Sequence, residues 1–318
     1  MVTATKPNVF SRNHLLRDAS LQALYDAMSA DPSVHLFGEG AQVKMHYDAP
    51  QIERHFSDRV HTMPISEDGN TNFAVGASLL GVKPVVDVIS ADFLYRTLDS
   101  ICNTAAKLNF VLGPWRTPST IVIRAEFLTG GPTTGQRPEA LFTHIPGLRV
   151  VLPSTPHDAY GLMKSALETP GVTIYFEDRM ISDAGPWSNW DQWLRAGVGF
   201  GQAHYRRGDV VVVTYGVMRQ LVEPLDCGLV DLVSICPLDW ETVEMAARHS
   251  GRVLIVEPDV AYGGVGAEIA AHIAEAMPHV RIKRLGAPKT TVPAAPSLHH
   301  LMLPSVEEIE RAIADLAR

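Results

Sequence analysis

The residues Met63-Pro64-Ile65-Ser66-Glu67 are followed by Asp68-Gly69-Asn70 and by Phe73-Ala74-Val75-Gly76-Ala77, so one acidic side chain lies in an apolar turn that leads into a small-residue helix. A carboxyl set against apolar surface binds its proton more tightly than one in water. Such a group suits a site where a proton is held or shared with a ligand. The alternative is a helix cap, because Ser66 and Glu67 precede a helical pattern. Glu39, between Gly38 and Gly40 at the end of a short apolar run, is a second acid at an element boundary. It is either a water-linked partner of Glu67 in proton sharing or a surface glutamate.

The elements that must position these acids alternate. Leu15 to Met28 has helical spacing, with Leu21, Leu24, Tyr25 and Met28 on one face, and Val34 to Phe37 is a short strand. Gly81 stops a helix through Gly76 to Leu80, and Pro84 opens the strand Val85 to Ile89. A helix over Leu98 to Phe110 and a strand over Thr120 to Arg124 follow, then strands over Leu148 to Leu152 and Thr173 to Phe176 with a helix over Ala159 to Leu167 between them. This order predicts an α/β fold with a parallel sheet covered on both faces. Ligands of such sheets sit beyond the carboxyl ends of the strands. Three strand ends run into polar or small-residue loops: Gly38-Glu39, Ala91-Asp92-Phe93, and Arg124 through Gln136.

The alternation breaks over Ser182 to Arg207, where Trp187, Trp190 and Trp193 stand among Gly, Ser, Asn and Asp. We read residues 186–207 as a crossing segment pinned by aromatics, between a first domain at 1–185 and a second α/β domain at 208–318. In the second domain, Val210 to Thr214, Leu229 to Ser234 and Val253 to Val256 read as strands, and Ala267 to Met277 and Val306 to Leu316 as helices. Gly263-Gly264-Val265-Gly266 imitates a phosphate loop but lacks the lysine of one, and reads as a tight strand-to-helix turn.

The 318 residues carry a net charge of −8, which argues against a nucleic-acid footprint and offers no polybasic patch to a membrane. The three cysteines have no C-x-x-C spacing and read as reduced packing residues. With no apolar leader at the N-terminus and no membrane-length apolar run, a cytoplasmic location is expected. No His, Asp or Glu group has metal-ligand spacing, and His299-His300 read as solvated loop residues.

Arg59-Val60-His61-Thr62-Met63-Pro64-Ile65-Ser66-Glu67 resembles the signature of the β subunit of the E1 component of 2-oxo acid dehydrogenases. Similar segments follow in the same order: Gly81-Val82-Lys83-Pro84-Val85, Asp92-Phe93, Asn103-Thr104-Ala105-Ala106-Lys107, Pro138-Glu139-Ala140, His144-Ile145-Pro146-Gly147-Leu148, Pro153-Ser154-Thr155-Pro156, Pro237-Leu238-Asp239 and Gly263 through Ile269. The resemblance covers nearly the whole chain after about residue 15. It implies a pyrimidine-binding domain followed by a transketolase C-terminal-like domain, with thiamine diphosphate bound between subunits. The diphosphate and its Mg²⁺ belong to a G-D-G…N motif on the α partner of this family. This chain has no such motif, since Gly208-Asp209 runs into a valine strand. The resemblance therefore implies an α subunit, an α2β2 heterotetramer, a lipoyl carrier protein as acyl acceptor, and no metal held by this chain.

By the same resemblance, Glu67 contacts N1′ of the aminopyrimidine, Phe93 packs on that ring, with a core aromatic as its alternative, and Ile65 lines the pocket. A carboxyl that shares a proton at N1′ favours the imino form, whose exocyclic nitrogen can take the proton from C2 of the thiazolium. The cofactor carries this chemistry and the protein supplies orientation and proton placement. The departure is at Thr134-Gly135-Gln136, where many family members have His-Ser-Gln. Thr134 thus falls on the catalytic histidine, and threonine carries no proton near neutral pH, though it donates one hydrogen bond. Gln136 and Arg137 are candidate substrate residues; for Arg137, a fork for carboxylate or phosphate and a surface arginine are equal alternatives. His144 reads as a structural histidine bonded to backbone. Three functions remain open: an E1-type 2-oxo acid enzyme, a two-subunit transketolase-type enzyme transferring a ketol unit, and a noncatalytic assembly subunit.

Overall fold

A computed structural model of the chain describes residues 15–39, 50–113, 118–128, 133–182, 185 and 197–318. The three tryptophans of the crossing segment and Gly130 to Pro132 lie outside the described residues. The strands are β1 (Val34–Gly38), β2 (Val60–Thr62), β3 (Lys83–Ser90), β4 (Thr120–Phe127), β5 (Leu148–Val151), β6 (Gly171–Asp178), β7 (Ala203–Arg206), β8 (Val211–Thr214), β9 (Gly228–Leu232), β10 (Ser234–Cys236), β11 (Arg252–Val260) and β12 (Arg281–Ala287). The first sheet has seven strands in the order β10-β5-β6-β4-β3-β1-β2, and the second has five in the order β12-β11-β8-β9-β7. Strands β1 to β6 pair in parallel, and only β10 runs against its neighbour β5. Every residue of β4 is buried, as a strand covered on both faces requires. The helix Leu16–Ala30 buries Leu21, Leu24, Tyr25 and Met28 and lies against the helix Pro156–Glu168. Among the described residues no helix is long and apolar enough to cross a membrane.

Three local features differ from the sequence reading. Leu229 to Ser234 is not one strand: the chain leaves the second sheet after Leu232 and β10 joins the first. The Ser234 hydroxyl makes that change of direction, accepting from the Gly201 N–H at 2.8 Å and donating to the Pro237 carbonyl at 2.6 Å. Ala203–Arg206, within the stretch read as crossing, is an edge strand antiparallel to β9. The Arg206 guanidinium fixes it by donating to the carbonyls of Glu223, Leu225 and Cys227. The expected helix over Leu98 to Phe110 begins as a π-helical stretch, Asp99–Ala105, and becomes α-helical only at Ala106–Leu112.

A 3₁₀ segment, Ala91–Thr97, precedes that stretch and carries Asp92, Phe93 and Arg96. Its approach is strained. Ile89 has φ 64°, alone among non-glycine described residues in being positive, and a β-branched side chain there is an outlier. Its N–H donates to Asp87 Oδ1 at 3.0 Å, and the β3–β4 register shifts between Asp87 and Ser90. π-Helical turns and strained backbone both concentrate at functional sites.

Candidate functional site

Strands β4, β3, β1 and β2 are consecutive neighbours in the first sheet. Their carboxyl ends release, in that order, the loop to Thr134, the segment with Phe93, Glu39, and the turn into Glu67. The topology thus gathers at one edge four residue positions that are far apart in sequence. Gly38 makes the approach of β1 to β3 close, since a Cβ there would stand 2.8 Å from the Asp87 Cβ.

Glu67 is the first residue of the helix Glu67–Ser78 and is buried. Among the described residues its carboxylate has one ion-pair partner, Arg96, whose Nε lies 3.4 Å from Oε2 and whose side chain is itself mostly exposed. Ser66 holds the cap position without a side-chain cap bond, so the capping alternative does not account for this pair of residues. Instead the Ser66 N–H donates to Glu39 Oε1 at 3.0 Å, which brings Glu39 to the start of the same helix. Burial, and then the charge of Glu67, raise the Glu39 carboxyl above its ordinary range. Asn70 Nδ2 donates to the Pro64 carbonyl at 3.0 Å and closes the turn. Ile65 is 86% exposed beside it, while Phe93 is partly buried against the core.

The second half of the site is fastened by a residue that the sequence reading did not single out. Asp92 accepts the N–H groups of Gly135 and Gln136, each at 2.9 Å, and the Ser90 hydroxyl at 3.1 Å. One carboxylate therefore clasps the Thr134-Gly135-Gln136 loop to the segment that carries Phe93. Gly135 has φ 99°, and a Cβ there would stand 3.0 Å from Val292, so both conformation and space call for glycine. Among the described residues no hydrogen bond joins Thr134 to Glu67, Glu39 or Phe93.

The surface reading of Arg137 is corrected. Its side chain is only 10% exposed, and Nη2 pairs with Asp178 at 2.5 Å. The guanidinium stacks 4.5 Å over the Phe127 ring. Gln136 and Arg137 nevertheless line a cavity of about 570 Å³ between the strand ends of the two domains, opposite Asp259, Val260 and Leu303. His299 and His300 also stand at its rim, His300 exposed as expected and His299 partly buried. His144 is exposed, and among the described residues only its backbone N–H is bonded, to the Phe142 carbonyl, so the imidazole does not take the backbone-bonded role read for it.

Behind Arg137 lies a buried acid pair. Glu139 is fully buried with neither oxygen hydrogen-bonded among the described residues. Burial first, and then the charge of Asp259, hold its carboxyl well above the ordinary 4.5. Burial also pushes Asp259 up to about 6. For an acid whose folded pKa is raised, the stabilisation is complete below the unfolded value and is lost as pH climbs through the folded one. Stability of the chain should therefore fall from about pH 4.5 upward. Glu139→Gln should flatten that fall, measured as a smaller loss of Tm between pH 5 and pH 8 than in the parent. An unchanged slope would place the linkage elsewhere.

The glycine turn of the second domain is already filled. The Gly266 N–H donates to Glu257 Oε2 at 2.8 Å, at the start of the helix Val265–Ala276. Cβ atoms on Gly264 or Gly266 would stand 2.5 and 2.6 Å from the Glu257 oxygens. The glycines thus make room for the chain's own carboxyl, which burial raises to about 7.

Comparison with known proteins agrees with this architecture. Residues 14–182 match the transketolase pyrimidine-binding domain, and residues 201–309 the transketolase C-terminal domain. The pair defines a two-domain protein of the transketolase class. A solved structure described as a split gene transketolase, inactive beta4 tetramer, superposes with a TM-score of 0.78 at 20% identity, covering 95% of this chain and 97% of that one, a likeness of fold. The pyruvate dehydrogenase E1 component subunit beta-1, mitochondrial, of Arabidopsis thaliana is 30% identical over 98% of this chain and 92% of its own length. The 2-oxoisovalerate dehydrogenase subunit beta of Bacillus subtilis (strain 168) is 31% identical over 94% of this chain and 97% of its own. The chain belongs to the family of E1 β subunits of 2-oxo acid dehydrogenases.

Proposed function

We propose that this chain is the β subunit of a thiamine-diphosphate-dependent enzyme that decarboxylates a 2-oxo acid and passes on the acyl group, and that it works only with an α partner. The observation that carries the reading is Glu67: a buried carboxylate at a helix start, beyond the strand ends, with one exposed arginine as its ion-pair partner among the described residues. The donor set fits the aminopyrimidine half of the cofactor. Glu67 would hold a proton at N1′, Phe93 would pack on the ring, and the exposed Ile65 would be covered when cofactor and partner bind. Glu39, with its raised carboxyl, is suited to exchanging that proton with Glu67 through water. Thiamine diphosphate, when bound, supplies the nucleophilic carbon that attacks a carbonyl. The Mg²⁺ and diphosphate would be held by a G-D-G…N motif on the α subunit of an α2β2 assembly, with a lipoyl carrier protein as the acceptor. Gln136 and Arg137, on the cavity wall, are proposed to face the substrate side.

The second reading is a split transketolase-type enzyme, and Thr134 favours it, because no imidazole stands there to aid acyl transfer to a lipoyl group. The test is co-expression with a G-D-G…N polypeptide, followed by assay of pyruvate, branched 2-oxo acids and ketose phosphates. Turnover of 2-oxo acids supports the first reading and ketol transfer the second. Assembly without turnover of any of them would leave a noncatalytic subunit. Within an active enzyme, Thr134→Ala should lower kcat by less than about tenfold, the worth of one neutral hydrogen bond of about 1 kcal/mol. A loss as large as that of Glu67→Ala would make Thr134 indispensable.

A further inference from the structure

Away from the strand ends that carry Glu67, three ligand-type side chains converge, two adjacent in sequence and the third 46 residues further on. Thr155 caps the helix Pro156–Glu168, and His157 and Asp158 occupy its first turn. His204 comes from β7, the edge strand of the second sheet. His204 Nε2 stands 2.8 Å from Asp158 Oδ1, and His157 Nδ1 stands 3.5 Å from the same oxygen. All three donor atoms lie within 4.8 Å of one another. Asp158 is fully buried, whereas His157 and His204 are 25% and 50% exposed. A buried carboxylate oxygen therefore forms the floor of a pocket whose walls are two imidazoles and whose mouth opens to solvent.

We propose that His157, Asp158 and His204 bind a divalent transition-metal ion, zinc in the first instance, which staples the start of a first-domain helix to the edge strand of the second domain.

Two imidazoles and one carboxylate are a donor set that suits zinc, with water completing the sphere. Zinc holds such donors at about 2.0–2.2 Å, so tetrahedral ligand atoms stand roughly 3.3–3.5 Å apart. The Asp158–His157 separation already has that value, and the Asp158–His204 separation must open by about half an ångström. Both imidazoles are exposed enough to make the adjustment. The ligand carboxylate is oriented from behind, since the Thr155 hydroxyl donates to Asp158 Oδ2 at 2.6 Å and leaves Oδ1 to the imidazoles. Outer-sphere bonds of this kind fix the direction of a metal ligand.

The charge state also agrees. Burial alone would raise the Asp158 carboxyl, but the bonds from His157, His204 and Thr155 hold it down at about 2, so the ligand is ionised over the working range. The bond to Asp158 raises His204, with the charges of Asp231 and Arg219 acting in opposite directions. A metal would displace the proton from that imidazole, as metal binding at histidine generally does. The site is independent of the thiamine reading, because none of its residues lies at the Glu67 strand ends or in the cavity.

The experiment uses the full-length chain, stripped with chelator and titrated with zinc against a chromophoric competitor, with thermal unfolding followed alongside. A single zinc bound in the micromolar range or tighter, with a zinc-dependent rise in Tm, is expected. His204→Ala and His157→Ala should each weaken binding by at least about tenfold, and the double variant should lose both binding and the Tm rise. Both histidines are partly exposed, so the metal-free variants should remain folded, as their unfolding curves without zinc will show. Stoichiometric zinc retained by the double variant, or a parent protein whose Tm is indifferent to zinc, would overturn the proposal and leave the trio a hydrogen-bonded clasp.

Discussion

Replacing Glu67 by alanine in the assembled enzyme should abolish turnover. A positioned acid or base contributes about 10²- to 10⁴-fold to rate, and Asp68, the other acid in the first turn of that helix, is bonded to Ser100 and Asn72. Glu39 cannot substitute in place, because its Oε1 is committed to the Ser66 N–H. Glu67→Gln separates charge from shape: the amide fills the same space and hydrogen-bonds a ring nitrogen, yet it neither releases nor takes up a proton. It should therefore retain coenzyme binding, read by calorimetry, while kcat falls nearly as far as in the alanine variant. Full turnover in either variant would remove Glu67 from the mechanism and the proposed function with it.

Arg137→Met should destabilise the chain by about 3–5 kcal/mol, the cost of leaving one member of a buried ion pair without the other. Asp178 is fully enclosed, and Glu139 and Asp259 stand close enough to feel the same cation. Methionine keeps contact with the Phe127 ring but leaves three acids behind. The penalty should shrink on acidification, because Asp259 and Glu139 take up protons and the cation has less to neutralise. Urea unfolding at pH 5 and pH 8 reads both effects. A loss under about 1 kcal/mol at pH 8 would mean that water or a side-chain shift satisfies Asp178, as at an exposed pair.

The alternation of elements, the parallel sheet and the core faces were legible because they depend on local patterns. Leu21, Leu24, Tyr25 and Met28 repeat at helical spacing and are buried, and Ile121-Val122-Ile123 of β4 read as an apolar run and are enclosed. What escaped depends on contacts between distant segments. Asp92 looks like any strand-end aspartate until the Gly135 and Gln136 N–H groups arrive 43 and 44 residues later. Arg137 leaves a substrate fork and a surface arginine equally open, because nothing in the sequence foretells its pairing with Asp178 or its stacking on Phe127. Arg96 gives no sign of facing Glu67, since the 3₁₀ and π-helical turns that aim it have no simple periodicity. His204 joins Asp158 only because Ala203–Arg206 is a strand, in a stretch whose mixed composition hid it.

The socket occupied by Glu257 sets how labour is divided under the proposed function. A glycine-lined helix start is the natural grip for a phosphorylated group, and this chain keeps its own example plugged. Under the proposed function, anchorage for the pyrophosphate tail is then expected from the α partner. Separation from that polypeptide would leave proton-handling machinery with nothing to act upon, so activity should vanish on dissociation rather than fade in proportion.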